Sequence, residues 1–330
     1  MIKNNAYLRE EYISRINRVM DYIERNLDED LSLETLAGIA DFSRFHFHRI
    51  FRGMVGETLN QFIGRVKIEK AALMLSNNPK FSVTEIALDC GFSSSATLSR
   101  SFRDAFGMSP SQWRNDKNSK KIFDSKICKT TSNKWKDSIQ FSCYISTDTN
   151  NIKWRIIMSN KDLNENRKIE ANVEVKELTE LQVAYVRNVG PYKGNSELFG
   201  GLFNKLMTWA GPRNLLNFPQ TQCLSVYHDN PDVTQEDKLR LSVCITVDKE
   251  TEVDGEVGKM VVPGGKFAVA RFEIDEDQYE DAWNSVYGAW LPESGFQPDD
   301  RLCYELYHGS PKDHPQGKHT FDICIPVKQL

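Results

Sequence analysis

FSRFHFHRIFR, residues 42–52, holds four aromatics, two histidines and three arginines, with no acid among them. Phe47, Ile50 and Phe51 recur at i, i+3 and i+4, so on a helix they form one apolar stripe. Phe45, His48, Arg49 and Arg52 follow i, i+3, i+4 and i+7 on another face, which would show charge and an aromatic ring to solvent. Ser43 is the expected N-cap and Gly56 the expected stop. The stretch reads as a short amphipathic helix with a basic outer face. An ordinary surface helix has the same pattern, and His46-x-His48 could belong to a metal site. The remainder of the chain separates these readings.

At 330 residues the chain is long enough for two or three domains, each with its own core. Its 40 % hydrophobic and 27 % charged fractions are those of a globular protein. The opening MIKNNAYLREEY has no apolar run, so no secretory signal is expected, and no stretch approaches a membrane-spanning length. Seven cysteines, an odd number without C-x-x-C, read as reduced thiols in a cytoplasm. The net charge of −4 hides an asymmetry. Residues 1–115 carry 15 basic and 14 acidic side chains, residues 116–168 carry 12 and 6, and residues 169–330 carry 15 and 26. The acidic C-terminal half would repel a phosphate backbone and attract cations.

The N-terminal part repeats itself. SLETLAGIADF (32–42) aligns with SVTEIALDCGF (82–92), and RIFRGMVG (49–56) with RSFRDAFG (100–107). Each copy reads as a helix, a tight turn and a second helix, and Ser82-Val83-Thr84-Glu85 is a capping-box pattern. Residues 12–27 form a preceding helix, and a longer helix from about Thr58 to Leu75 joins the copies. In a helix-turn-helix the second helix enters the DNA major groove. FSRFHFHRIFR holds that position in copy one and FSSSATLSRSFR (92–103) in copy two, with Arg49 matching Arg100 and Arg52 matching Arg103. The metal reading fails here. His46 and His48 point to different helix faces, and the second copy has no ligand types.

On these motifs, and on CGFSSSATLSRSFRDAFGMSPSQWR (90–114), residues 10–115 resemble the AraC family of transcription regulators. The resemblance implies a module that sets two recognition helices in successive major-groove segments. It implies that Phe45, His48 and Arg49 read bases from the first helix, and that Ser95, Ala96, Thr97 and Arg100 lie at matching positions of the second. Arg44, Arg52, Ser99 and Arg103 are then phosphate contacts.

The C-terminal half also repeats. CLSVYHDNP (223–231) aligns with CYELYHGSP (303–311), and LSVCITV (241–247) with FDICIPV (321–327), both at an offset of 80. In each copy a strand leads to a helix, around Glu197–Trp209 and Gln278–Trp290, and then to two more strands. Two such halves would leave a cleft between them, a usual place for a ligand. The four cysteines at matched repeat positions, Cys223, Cys303, Cys244 and Cys324, read as small core residues.

With VGPY (189–192), WAGPR (209–213), PGGKFAVARF and WLPESG (290–295), residues 170–328 resemble the GyrI-like small-molecule-binding domain. The resemblance implies a buried glutamate among aromatic rings that meets flat cationic ligands, and Glu305 is the matching position. The residues themselves support this, because a glutamate flanked by Tyr304 and Leu306 is hard to solvate and needs a partner. A cation stacked on Trp283, Tyr192 or Tyr227 would serve, as would an ion pair with Arg187 or Arg271.

The expected fold is multidomain. An all-α double helix-turn-helix module (1–115) is followed by a basic linker (116–168). An α+β domain (169–330) then has two pseudo-symmetric halves of antiparallel sheet and helix. FSCYIS (141–146) and KWRIIM (153–158) in the linker have the composition of short strands. The expected function is transcription regulation in the cytoplasm, with double-stranded DNA, a small-molecule effector and RNA polymerase as partners. No cofactor, metal, catalytic residue or membrane partner is expected. The alternatives are a hydrolase using Glu305 with Tyr192 or Tyr227, or a C-terminal half that binds another protein.

Overall fold

The computed structural model of the protein describes residues 2–78, 80–116, 139–145, 152–158, 172–229 and 234–330. The chain divides into two compact units. One comprises Met1–Asp41 and Ile50–Arg167, the other Phe42–Arg49 and Lys168–Leu330.

The first unit is mainly helical. Helix α1 spans Ile2–Arg25, α2 Leu33–Ala40, α3 Phe47–Val55 (its residues 47–49 counted with the second unit) and α4 Leu59–Asn77. Helix α5 spans Val83–Asp89, α6 Ser95–Phe106 and α7 Pro110–Asn115. Local chemistry sets the boundaries. Thr58 with Gln61, Ser82 with Glu85 and Ser109 with Gln112 form reciprocal capping boxes, which satisfy backbone N–H groups that a helix start leaves orphaned. Gly107 ends α6 in the left-handed region at φ 76°.

Trp113 locks the second helix-turn-helix together. It is fully buried, its Nε1 donates to Ala72 O at 3.2 Å and lies 3.1 Å from Ser76 Oγ, and it packs edge-on against Phe102. The α5–α6 turn depends on Gly91. Its φ is +70°, and a Cβ there would lie 1.8 Å from the Leu27 carbonyl oxygen. Two strands, β1 (Ile139–Ile145) and β2 (Ile152–Met158), pair antiparallel within the stretch expected as linker.

Helix α3 corrects the expected cap. It begins at Phe47, and Ser43 caps with its carbonyl, which accepts from the His46 and Phe47 N–H groups through an extra turn. The expected outer face changes as well, because His48 is only 2 % exposed. Gly56 ends this part of the chain as expected, with φ 73° and its N–H on Arg52 O.

The second unit is built on one antiparallel sheet. Its strands are β3 (Asn172–Leu178), β4 (Leu181–Val189), β5 (Cys223–Tyr227), β6 (Arg240–Thr246) and β7 (Gly258–Val262). They continue as β8 (Gly265–Ile274), β9 (Phe296–Pro298), β10 (Tyr304–Tyr307) and β11 (His319–Gln329). The order is β3-β8-β11-β10-β5-β6-β4-β7, with β9 on β11. The two repeats meet at the central β5–β10 pair, where Glu305 faces Ser225. They also exchange their leading strands. β3 pairs with β8 of the second half, and β7 with β4 of the first.

Helix α8 (Ser196–Ala210) packs Leu202, Leu206 and Ala210 on Ala184, Val186, Leu241, Val243 and Ile245 of one sheet face. The second repeat's helix is interrupted. Helix α9 (Tyr279–Asn284) passes into a π-helical turn, Ser285–Trp290, and resumes as α10 (Leu291–Ser294). Single π turns of this kind gather at functional sites. Among the described residues, no helix is long and apolar enough to cross a membrane.

Candidate nucleic-acid interface and effector site

Helix α6 separates core from surface by its period. Leu98, Phe102 and Phe106, at i, i+4 and i+8, are buried. Ala96, Arg100 and Arg103, at i, i+4 and i+7, form the opposite face and are exposed. Neither arginine has an ion-pair partner among the described residues, so both guanidinium groups are available to phosphate or base edges. Ser95 and Ser99 are half-buried beside them. Thr97 is partly committed to its own helix. Its N–H donates to the N-cap Ser94 Oγ at 3.2 Å, and its hydroxyl lies 3.0 Å from the same oxygen.

The matched stretch in the first repeat is placed differently. Phe45 is 40 % exposed, with the Arg44 guanidinium 4.8 Å from its ring centroid. Arg52 is half-buried on α3. Arg49 belongs to the second unit and lies in the aromatic site described next.

That site is built over the centre of the sheet. Glu305 is 1 % exposed and accepts three hydrogen bonds. Trp283 Nε1 donates to Oε1 at 2.7 Å, and the Tyr227 and Tyr307 hydroxyls donate to Oε2 at 2.8 Å each. All three donors are neutral. Burial raises the Glu305 pKa, while those bonds and the charge of Arg49 pull it back. The same burial, beside the Glu305 charge, holds the Tyr227 and Tyr307 hydroxyls well above the usual phenol range.

The elements explain this convergence. Glu305 and Tyr307 are two apart on β10 and so share a face. Tyr227 comes from β5 on the neighbouring ladder, and Trp283 from α9 above. Phe203 of α8 meets Tyr307 edge-on at 5.6 Å, and Tyr279 stacks on Phe321 at 4.7 Å. Tyr192 lies 5.7 Å from the Tyr227 ring. Its hydroxyl, pushed up to about 12 by burial, has no hydrogen-bond partner among the described residues.

All four residues expected at the ligand site, Glu305, Trp283, Tyr192 and Tyr227, are thus brought together. The ion pairs weighed for Glu305 do not form. Arg271 binds Asp322, which His308 also meets at 2.8 Å. Arg187 donates to Ser242 Oγ at 3.0 Å. Sequence reasoning missed Tyr307, although its period-2 spacing from Glu305 was a signal. It also missed Arg49, Tyr287 and Cys303 as neighbours of the site. Arg49 extends one N–H to Cys303 Sγ at 2.7 Å, and its guanidinium lies 4.4 Å over the Trp283 ring centroid. Among the described residues, no group of His, Cys, Asp or Glu could hold a metal ion.

Comparison with known proteins bears on both parts. The GyrI-like small-molecule-binding domain model matches residues 171–328, and a helix-turn-helix domain model matches residues 36–116. A DNA gyrase inhibitor 2 of Dickeya dadantii (strain 3937) is 32 % identical over 130 residues, 38 % of this chain and 78 % of that protein. An HTH-type transcriptional regulator of Staphylococcus aureus (strain COL) is 36 % identical over 103 residues, 31 % of this chain and 14 % of that protein. The solved DNA-binding domain of AdpA, in complex with a target DNA, is 31 % identical, with a TM-score of 0.30 over 32 % of this chain and 94 % of that one. A helix-turn-helix module and a small-molecule-binding domain on one chain make this a DNA-binding transcription regulator with an effector domain. The chain belongs to the GyrI-like family, joined to a DNA-binding module of the AraC type.

Proposed function

We propose that the effector is a flat, lipophilic cation and that Glu305 is the group that selects it. The observation that carries this is a carboxylate 1 % exposed whose three hydrogen-bond donors are all neutral. A cation entering the site brings a compensating charge to a carboxylate that water does not solvate, and the surrounding rings add stacking without demanding one shape. Affinity in the micromolar range corresponds to about −8 kcal/mol. DNA is read by Arg100 and, once its guanidinium leaves Trp283, by Arg49, with Phe45, Ser95, Ala96 and Thr97 beside them; His48 is buried and supports the helix from inside. Arg44, Arg52, Ser99 and Arg103 hold phosphates. The protein acts in the cytoplasm, where RNA polymerase is the natural recipient of its signal, and it has no catalytic role.

Calorimetry with N-methylquinolinium and neutral quinoline tests the reading. Glu305→Gln should weaken the cation by about tenfold or more, on the order of 1.4 kcal/mol, and spare quinoline. Equal losses for both, or none, would sink the assignment. The hydrolase alternative draws on the same 2.8 Å contact between Tyr227 and Glu305. It predicts turnover of electrophilic small molecules that disappears in Tyr227→Phe.

A further inference from the structure

Arg49 meets the effector site as a ligand would. Its guanidinium lies 4.4 Å over the Trp283 ring centroid and 5.7 Å from the Tyr287 centroid. The face of Trp283 is the best cation-binding surface among the side chains. The edge of the same indole donates to Glu305 at 2.7 Å, so one ring links the guanidinium to the carboxylate. The rest of Phe42–Arg49 is fastened alongside. Ser43 Oγ donates to Asp300 at 2.6 Å. His46 Nδ1 lies 2.7 Å from the Tyr287 hydroxyl, and its Nε2 lies 3.2 Å from Arg301 O.

This site therefore already holds a flat, delocalised cation, and it comes from the chain itself. Two cations cannot share one indole face above one carboxylate. We propose that Arg49 is a built-in competitor of the effector, so that a cationic ligand takes the place over Trp283 only as the Arg49 guanidinium leaves it. This inference rests on the reading of the site as a cation site and adds its regulation. A guanidinium stacked on Trp283 cannot at the same moment reach a base or a phosphate. Effector binding and the availability of Arg49 are then two sides of one equilibrium, linked reciprocally.

The test uses the full chain, with N-methylquinolinium as the probe in calorimetry on the wild type, Arg49→Gln and Glu305→Gln. The expected result is affinity about tenfold or more tighter in Arg49→Gln and weaker in Glu305→Gln. Equal affinity of wild type and Arg49→Gln, with Glu305→Gln still weakened, overturns the competitor and leaves the cation site standing. Failure of every variant to bind, with Arg49→Gln folded by circular dichroism, overturns both. Amide hydrogen exchange on the wild type gives a readout that needs no variant. Saturating probe should speed exchange across residues 42–49 at least several-fold. Exchange there that does not change overturns the proposal.

Discussion

Glu305 lies directly opposite Ser225 in the central β5–β10 ladder, and Tyr307 reaches both. The Tyr307 hydroxyl donates to Glu305 Oε2 at 2.8 Å and sits 3.0 Å from Ser225 Oγ, whose own O–H can donate back to it. The two residues are equivalents in the repeat, so the pseudo-twofold axis passes between an acid and a hydroxyl. A symmetric pair of glutamates here would place two like charges side by side in a dry site, and one would have to stay protonated. The serine removes that conflict and leaves one carboxylate for the whole sheet centre.

Stability should depend on Glu305 with a definite sign. Burial raises its pKa above the ordinary 4.5. For an acid raised in the folded state, the stabilising contribution belongs to the protonated form. It is fully present below 4.5 and is lost as pH rises through the folded value. At pH 7, well above the unfolded value, burying this side chain is therefore a net cost. Glu305→Gln should melt higher than the wild type at pH 7, and the gap should close below pH 4.5. A variant that melts lower at pH 7 would show that the three donors outweigh the cost of burial.

Asp322 behaves in the opposite way. Burial works against its charge, but hydrogen bonds from His308 and Arg271 prevail and hold its pKa down to about 2. A depressed carboxylate contributes stability above its unfolded value, near 3.8, and loses it as pH falls through about 2. Arg271 is half exposed, so solvent screens part of the gain. Asp322→Asn should cost about 1–2 kcal/mol at pH 7 in urea unfolding, and about half a kcal/mol or less at pH 2. An equal cost at both pH values would make the role one of packing.

Arg100 should carry sequence preference. It is exposed on α6 and has no carboxylate partner among the described residues. Arg100→Ala should lose about 1–3 kcal/mol on the cognate site and much less on random DNA. Equal losses on both, read by fluorescence anisotropy at one fixed salt concentration, would make it a phosphate contact only.

Gly91 should be nearly irreplaceable. A methyl group would strike the Leu27 carbonyl at 1.8 Å, and the φ of +70° disfavours any side chain. Gly91→Ala should cost on the order of 3 kcal/mol or more in stability, through strain and displaced backbone together. Thermal unfolding within about a degree of the wild type would mean that the turn shifts freely.

Local chemistry carried most of what was legible in the sequence. The capping box at Ser82, the helical spacing of Phe47, Ile50 and Phe51, and the 80-residue repeat through Glu305 are written in short spacings or in self-similarity. Ser43 misled because a turn through Arg44, Phe45 and His46 precedes the helix, and both arrangements suit the same residues. The exchange of β3 and β7 was illegible for a different reason. Strand partners far apart in the chain are chosen by packing, and neither EVKEL nor GKMVV names its neighbour. The place of Arg49 was hidden likewise, since a basic helix face looks the same whether it meets phosphate or indole.

The exchanged strands make the effector domain behave as a pair of clasped hands. Each half lends an edge to the other, β3 to β8 and β7 to β4, so neither is complete alone. A cut in the connection between β6 and β7 would leave two fragments, each carrying a strand that belongs to its counterpart. Such fragments would have to find each other before either could close its sheet. In the intact chain the same interlock ties the folding of both halves together, since each outer edge is closed by a strand from the other half.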